Sequence, residues 1–316
     1  MSQPEKQPSS LPEYSPPTKG ILSYLPASWV PYGELARIDK PTGVWHFYFP
    51  QLLGTLFYAA CHRTEGEKRA AVLQPGDLLS INALLYVGTV FFRSAACALN
   101  DTLDPDFDRQ VRRCRLRPLA RGALTPAQGY AYTVALAGVA VWFIALLPPH
   151  CWAVSVPSVL LATAYPFAKR VTDFPQAVLG VQQAIGVLVG AGAAAMQTDR
   201  NPLIASNIAS LFSKEQQLRA VGALYLAVVW WEVVIDTVYA LQDVEDDEKA
   251  GVRSMALYFR GHEKALLGAV AALQVASLLA VSVWAGFGPT CLAISCGGVA
   301  TSLAYMLWTI DLARAD

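Results

Sequence analysis

The sequence predicts an all-α fold, a polytopic bundle of transmembrane helices. Of its 316 residues, 54% are hydrophobic and only 15% are charged, and the mean hydropathy is +0.36. Charged residues make up about a quarter of an ordinary soluble chain. Their low share here, together with repeated long apolar runs, indicates a protein that crosses the lipid bilayer several times. The formal net charge is +0, so the chain has no excess of basic residues that would attract an acidic partner. We therefore expect no binding to nucleic acid.

Residues 1–30 are predicted to be a disordered tail that precedes a transmembrane domain over residues 31–316. The tail is rich in Pro, Ser and Glu. It has neither the apolar core of a signal peptide nor the Arg-rich pattern of a mitochondrial presequence. A short segment around Trp29 and Tyr32 is expected at the membrane interface, because aromatic side chains favour that depth.

Eight apolar runs predict eight membrane-spanning helices. The runs cover residues 44–62, 78–99, 128–147, 151–166, 176–196, 219–241, 264–286 and 288–310. The fifth run carries Gly186 and Gly190. Because glycines four residues apart let two helices approach closely, we expect this helix in the interior of the bundle.

An acidic stretch closes the second span and reads R-S-A-A-C-A-L-N-D-T-L-D-P-D-F-D over residues 93–108. Asn100, Asp104 and Asp108 share one face if the helix continues through them. Carboxylates this close repel each other unless a cation lies between them, and a set of oxygen ligands suits Mg²⁺. Pro105 removes a backbone donor and should kink or end the helix, so that Asp108 reaches the metal from a loop.

A second acidic cluster, Asp243 and Asp247, follows the sixth apolar run in the sequence Y-A-L-Q-D-V-E-D-D. On a continuous helix these two residues share a face with Asp236 and Ala240. Two acidic helix ends at the level of the membrane surface predict a site where metal ions hold a diphosphate.

Arg93 lies deep enough in the second span to need a partner, because an unpaired charge there costs several kcal/mol. Snorkelling towards the helix end is one alternative. A diphosphate or carboxylate partner is favoured, since Arg93 lies about two turns before Asn100 on nearly the same helical face.

Counting the turns between spans places both acidic clusters on one face of the membrane, which also carries most of the Lys and Arg residues. Six arginines follow the first cluster: Arg109, Arg112, Arg113, Arg115, Arg117 and Arg121. The positive-inside rule puts this face in the cytosol, and guanidinium groups there also suit phosphate oxygens. We expect an integral membrane protein of the endoplasmic reticulum or Golgi.

The two acidic stretches resemble the two signatures of the UbiA superfamily of intramembrane prenyltransferases. The first reads N-D-x-x-D-x-x-x-D from Asn100, and the second Y-A-x-Q-D-x-x-D-D-x-x-x-G-V-R-S from Tyr239. Four further stretches are similar to the family in the same order: R-x-D-K-P-x-G at 37–43, R-P-L-A-R-G at 117–122, Y-P-F-x-K-R at 165–170 and P-Q-x-x-L-G at 175–180. The ordered set is far more specific than one acidic motif alone.

The resemblance implies a bundle of nine spans around a central cavity, one more than the eight apparent spans. It also implies two Mg²⁺ ions that grip a prenyl diphosphate through residues of both motifs: Asn100, Asp104, Asp108, Asp243 and Asp247. Three basic residues match positions that neutralise the leaving group: Arg93, Lys169 and Arg170.

The implied reaction is ionisation of the allylic C–O bond, followed by alkylation of an electron-rich aromatic carbon and loss of a ring proton. Cations would stabilise the pyrophosphate charge, and apolar cavity walls would shield the allyl cation from water. The expected partners are a prenyl diphosphate, an aromatic acceptor and the bilayer. The Pro-rich tail makes the chain most similar to fungal members that farnesylate polyketide-derived phenols in meroterpenoid pathways.

Two other functions compete with this one. The first is a 4-hydroxybenzoate polyprenyltransferase of ubiquinone biosynthesis, which uses a longer isoprenoid. The second is a transporter or lipid-binding protein, whose intramembrane charges would mark a translocation path. The acidic residues cluster at one membrane face rather than in mid-span, which disfavours the transporter.

Overall fold

The computed structural model describes residues 14–63, 73–198, 208–212 and 214–310, and every regular element in these ranges is a helix. Eight long helices form the bundle: α1 (Thr42–Arg63), α2 (Pro75–Leu103), α3 (Pro126–Ala145), α4 (Pro149–Val171), α5 (Pro175–Thr198), α6 (Glu215–Ala240), α7 (Glu263–Trp284) and α8 (Pro289–Thr309). Shorter helical segments precede or connect them: Ile21–Tyr24, Val30–Leu35, Pro105–Asp108, Ile208–Leu211, Val244–Ala250 and Met255–Tyr258.

The all-α prediction is confirmed, and each predicted span coincides with one long helix. Seven of these helices, α2 to α8, are long and apolar enough to cross a membrane. The first, α1, has 22 residues but is less apolar, because His46, Pro50 and Gln51 interrupt its run. The ninth helix that the resemblance implies is not among the long helices of the described ranges.

The chain packs against the bundle earlier than residue 31, where the predicted domain begins. Residues 1–13 of the predicted tail lie outside the described residues. Beyond them, Leu22 is buried, and the hydroxyl of Tyr14 donates a hydrogen bond to Glu34 Oε1 at 2.9 Å. This segment therefore contributes contacts to the bundle.

The central helix of the bundle is α5, which packs against α1, α4 and α6. It meets α1 at backbone distance. A Cβ added at Gly190 would lie 2.0 Å from the carbonyl oxygen of Gln51, and one added at Gly54 would lie 2.0 Å from that of Val187. Any side chain at these two glycines would clash with the backbone of the neighbouring helix. The interior position predicted for the fifth span is therefore confirmed. Helices α1 to α5 also surround a cavity.

The end of α2 shows what Pro105 does. The helix ends at Leu103, and Asp104 leaves the helical conformation with φ −119° and ψ 32°. The predicted break is confirmed, but Asp108 lies in the short helix Pro105–Asp108 rather than in a loop. The reason is that proline suits the first position of a new helical turn.

The end of α6 differs from its prediction in a related way. Asp236 and Asp247 were expected on one continuous helix, but α6 ends at Ala240. Asp243, with φ −113° and ψ 3°, then precedes the short helix Val244–Ala250. The break turns the second acidic cluster relative to α6, so a single helical face does not describe it.

Candidate active site

Both acidic stretches open on one pocket at the end of the bundle, where α2, α4 and α6 finish. Seven of the eight predicted site residues line it: Asn100, Asp104, Asp108, Lys169, Arg170, Asp243 and Asp247. The two acidic helix ends therefore meet each other, and the basic end of α4 lies between them.

Three side chains of the first acidic stretch form one side of the pocket. Asn100 lies in the last turn of α2, and its Oδ1 atom is buried with no hydrogen-bond partner among the described residues. Asp104 forms an ion pair with Arg170. Both oxygens of Asp108 accept hydrogen bonds from Arg117 Nη1, at 2.9 and 3.0 Å. Burial raises the pKa of Asp108 to about 6, although Arg117 opposes this change.

A buried ion cluster, which the sequence reasoning missed, supports this side of the pocket. Asp101 is 1% exposed. Its Oδ1 atom accepts hydrogen bonds from Arg37 Nη2 at 2.8 Å and from Arg117 Nη1 at 3.0 Å. Arg117 thus bridges Asp101 and Asp108, and these carboxylates raise its pKa against the opposing effect of burial. The cluster joins the stretches 37–43, 100–108 and 117–122. All three stretches resemble the same family, and their joint occurrence in the sequence could have indicated that they meet in the fold.

The second acidic stretch forms the opposite side of the pocket. Asp243 Oδ2 accepts a hydrogen bond from Arg113 Nη2 at 2.5 Å. Asp247 forms no ion pair among the described residues. Burial, and then the nearby charge of Asp243, raise the pKa of Asp247 to about 6, while Lys169 and Arg113 act in the other direction. On this side Asp243 is therefore paired with Arg113, whereas Asp247 has a carboxylate without an ion pair among the described residues.

The basic side chains of α4 face the two acidic sides. The ammonium group of Lys169 lies 4.7 Å from the centre of the Tyr165 ring, and it forms no ion pair within the described chain. Arg170, which pairs with Asp104, also stacks over the ring of Phe107 at 4.9 Å. The cation of Lys169 is therefore available for an anionic ligand.

Three further arginines line the pocket, and they were not assigned to it from the sequence: Arg113, Arg117 and Arg253. Arg253 is held at the end of α4, because its backbone N–H donates to the carbonyl of Lys169 at 2.8 Å. Arg117 and Arg253 lie in stretches that resemble the family, which could have indicated them. Arg113 belongs to the run of six arginines described above as suited to phosphate oxygens, but its spacing does not distinguish it from the others.

Arg93 is the predicted site residue that does not line the pocket. It is 5% exposed, and its Nη1 atom donates to the carbonyl oxygens of Arg37 at 2.9 Å and Ala36 at 3.4 Å. Arg37 has φ 53°, a left-handed conformation that is uncommon for a residue with a side chain. Arg93 therefore holds the backbone of the segment before α1, a placement that favours a positioning role.

The donor set of the pocket fits Mg²⁺ when a diphosphate is present. Within the described ranges no three Asp, Glu, His or Cys side chains lie close enough to hold a metal by themselves. Mg²⁺, however, usually takes one or two carboxylates together with substrate phosphates, rather than a cage made only of protein. The unpartnered Oδ1 atom of Asn100 and the carboxylate of Asp247, which forms no ion pair among the described residues, are lining groups that could accept such a cation.

Comparison with known sequences shows similarity to prenyltransferases. The sequence model of the UbiA prenyltransferase family matches residues 47–316. The chain is 37% identical to prenyltransferase ascA of Acremonium egyptiacum, over 93% of this chain and 81% of that protein. It is 33% identical to DMOA farnesyltransferase nvfB of Aspergillus novofumigatus, over 93% of this chain and 86% of that protein. It is 31% identical to the mitochondrial 4-hydroxybenzoate polyprenyltransferase of Schizosaccharomyces pombe, over 94% and 76%.

Two solved structures share the fold. A UbiA homologue from Aeropyrum pernix K1 superposes with a TM-score of 0.66 at 21% identity, over 86% of this chain and 91% of that one. A UbiA homologue from Archaeoglobus fulgidus bound to GPP and Mg²⁺ superposes with a TM-score of 0.61 at 16% identity, over 89% and 87%. At these identities the likeness shows a common helical architecture.

Proposed function

The chain belongs to the UbiA prenyltransferase family, and we propose that it transfers a farnesyl group from its diphosphate to a polyketide-derived phenol, using Mg²⁺. It is thus an integral membrane enzyme, and the transporter alternative is wrong. The observation that carries the proposal is the meeting of two acidic stretches and the basic end of α4 in one pocket. That combination suits a diphosphate with its metal ions.

Each side of the pocket has a distinct task in the proposed reaction. Bound Mg²⁺ supplies Lewis acidity and neutralises part of the diphosphate charge. Oxygens of both acidic stretches hold the metal ions: Asn100, Asp104, Asp108, Asp243 and Asp247. In the structure Arg113 forms an ion pair with Asp243, and Arg170 forms one with Asp104. We propose that both arginines release these carboxylates and bind phosphate oxygens when the substrate enters.

Lys169 and Arg170 act on the leaving group. Negative charge grows on the diphosphate as the allylic C–O bond breaks, and cations fixed nearby stabilise that charge more than they stabilise the ground state. Lys169 is suited to this because its ammonium makes no ion pair among the described residues. The site is proposed to face the cytosol from the endoplasmic reticulum or Golgi, since arginines are concentrated at this end.

The choice of farnesyl and phenol is supported by fungal relatives. The relative named DMOA farnesyltransferase is 33% identical over nearly the whole chain and supports the farnesyl group, while ascA, at 37% identity, is named only as a prenyltransferase. The second candidate, 4-hydroxybenzoate polyprenyl transfer, is supported by the 31% identity to the enzyme of Schizosaccharomyces pombe. A function in meroterpenoid biosynthesis is therefore the favoured proposal.

The test is a substrate panel with membranes that contain the expressed protein. Geranyl, farnesyl, geranylgeranyl and longer polyprenyl diphosphates are each combined with orsellinic acid, other alkyl resorcinols and 4-hydroxybenzoic acid, and products are identified by mass spectrometry. We expect C-farnesylated resorcinols. Prenylation of 4-hydroxybenzoic acid alone, with the longest diphosphate preferred, would support the second candidate, and no prenylated phenol at all would contradict both.

A further inference from the structure

The inner cavity is a second space, deeper in the bundle than the diphosphate pocket. We define it by residues that α1 to α5 contribute to its wall: Phe47, Gln51, Thr89, Phe92, Phe143, Ser158, Gln182 and Gln183. Phe92 lies about two turns, or about 12 Å, before Asn100 along α2. The inner cavity is therefore within one ligand's length of the pocket that holds the diphosphate.

The wall of the inner cavity combines aromatic rings with amides. The centres of the Phe47 and Phe92 rings lie 6.2 Å apart, and Phe143 adds a third aromatic ring to the wall. These two rings pack edge to face against each other, and the ring surfaces that line the cavity offer faces and edges to a further aromatic ring. Among the amides, Gln51 is already used, because its Nε2 atom donates to Thr89 Oγ1 at 2.8 Å.

Two glutamine side chains of the wall have polar atoms without partners. Gln182 Nε2 donates to Ser158 Oγ at 2.9 Å, but Gln182 Oε1 is buried and accepts no hydrogen bond from any described residue. Gln183 Nε2 is likewise buried and finds no acceptor in the described chain. Both residues are 3% exposed. Among the described residues, the cavity thus presents one acceptor and one donor without a partner in the interior of the helical bundle.

We infer that the inner cavity binds the aromatic acceptor, with a phenolic hydroxyl placed between Gln182 and Gln183. The hydroxyl donates to Gln182 Oε1, and its oxygen accepts from Gln183 Nε2. This assignment rests on the proposed function and adds the residues that select the acceptor. A prenyl chain in the same place would leave both amide atoms facing hydrocarbon, which is unfavourable for buried polar groups.

The test compares Gln183→Leu with wild-type protein, using the phenol of highest turnover in the substrate panel and its O-methyl ether. The ether keeps an oxygen that can accept but cannot donate to Gln182. In wild-type protein we expect the ether to show a KM about tenfold higher than the phenol, the effect of one lost hydrogen bond. We expect Gln183→Leu to raise the KM for the phenol by about tenfold while the KM for farnesyl diphosphate is unchanged.

Gln274→Leu is the matched control. Gln274 is a buried glutamine on α7 whose Oε1 atom also has no partner among the described residues, and it does not line either cavity. We expect this variant to keep the wild-type KM for both substrates. Melting temperatures in detergent are measured for all variants to separate loss of binding from loss of folding.

The outcomes separate this inference from the proposed function. If wild-type protein prenylates no phenol, the proposed function fails and the inference fails with it. If wild-type protein is active but the phenol and its ether have equal KM values, or Gln183→Leu leaves the KM for the phenol unchanged, the inference alone is overturned. A change confined to the KM for farnesyl diphosphate would place the prenyl chain in the inner cavity and would also overturn it.

Discussion

The two acidic stretches have the same backbone plan but different surroundings. In each, a long helix ends, an aspartate leaves the helical conformation, and a short helix carries a second aspartate four residues later. The backbone N–H of Asp108 donates to the carbonyl of Asp104 at 2.9 Å, and that of Asp247 donates to Asp243 at 2.8 Å. The spacing of the acids thus reflects a repeated local structure.

Their electrostatic environments differ. Asp108 is buried and bound by Arg117, which also holds Asp101, so the first stretch is fixed to the protein by its own cations. Asp247 forms no ion pair among the described residues, and it is only partly buried, since no residue of Val244–Ala250 is fully buried. Asp108 therefore has a structural role in addition to its proposed ligand role, whereas Asp247 has no ion pair that would have to break for a metal ion to bind. Similar acidic spacing does not imply equal roles.

The largest expected effect is that of metal removal, which tests whether both stretches need an external cation. We expect EDTA to abolish prenyl transfer and excess Mg²⁺ to restore it, because the cations that line the pocket are matched by its aspartates and a bound diphosphate would add further negative charge. Product formation is measured in the same membranes before and after chelation. Full activity in EDTA would contradict the metal role of both stretches.

The next effect is that of neutralising one acid at each helix break. Asp104→Asn and Asp243→Asn should each reduce turnover by more than about 100-fold. Mutation of a residue that only hydrogen-bonds to a metal ligand already lowers activity by about 10- to 100-fold, and loss of a ligand should have a larger effect. Asp106→Asn is the control, because Asp106 is exposed and pairs with Arg109 outside the pocket. Turnover near wild type in either pocket variant, with protein amounts equal on a blot, would remove that acid from the site.

Much of this architecture follows from local sequence pattern. Apolar runs were sufficient to place all eight long helices, and glycine spacing placed α5 in the interior. The meeting of the two acidic stretches followed from counting turns across the membrane. These features depend on residues close together in the sequence, which pattern reasoning can read.

The pairing of charges within the pocket could not be predicted in the same way. Arg113 and Asp243 are 130 residues apart, and nothing in the local spacing of either residue selects the other. Arg93 shows the same limit. Its position on α2 suggested a partner at the acidic stretch, but the carbonyl groups that hold it belong to a segment before α1 whose path depends on tertiary contacts. Helical periodicity gives the face of a side chain and not its partner.

A smaller effect sharpens the contrast between the second acids of the two stretches. Asp108→Asn should lower the free energy of unfolding by about 1–3 kcal/mol, because it removes the charge that accepts two hydrogen bonds from Arg117 at a buried position. Asp247→Asn should not lower it, because Asp247 has no ion pair to lose and its raised pKa means that the ionised form is already disfavoured in the fold. Thermal unfolding in detergent and turnover are measured for both. Equal losses of stability would contradict the difference in roles.

The smallest expected effect on catalysis concerns Arg93, which lies near the first stretch without entering the pocket. Its guanidinium holds the carbonyl groups of Ala36 and Arg37, and Arg37 is also tied to Asp101. Arg93→Ala should therefore lower the free energy of unfolding by about 1–3 kcal/mol through two lost hydrogen bonds. Turnover per folded molecule should fall by less than about tenfold, since no contact with substrate is lost.

Arg93→Lys keeps the charge but lacks the planar fork, so it should restore stability only in part. Melting temperature and single-turnover rate are measured on the same preparation. An unaltered melting temperature with a rate loss above about 100-fold would instead show that Arg93 acts on the leaving group, and the first stretch would then owe its fixed geometry to Arg117 alone.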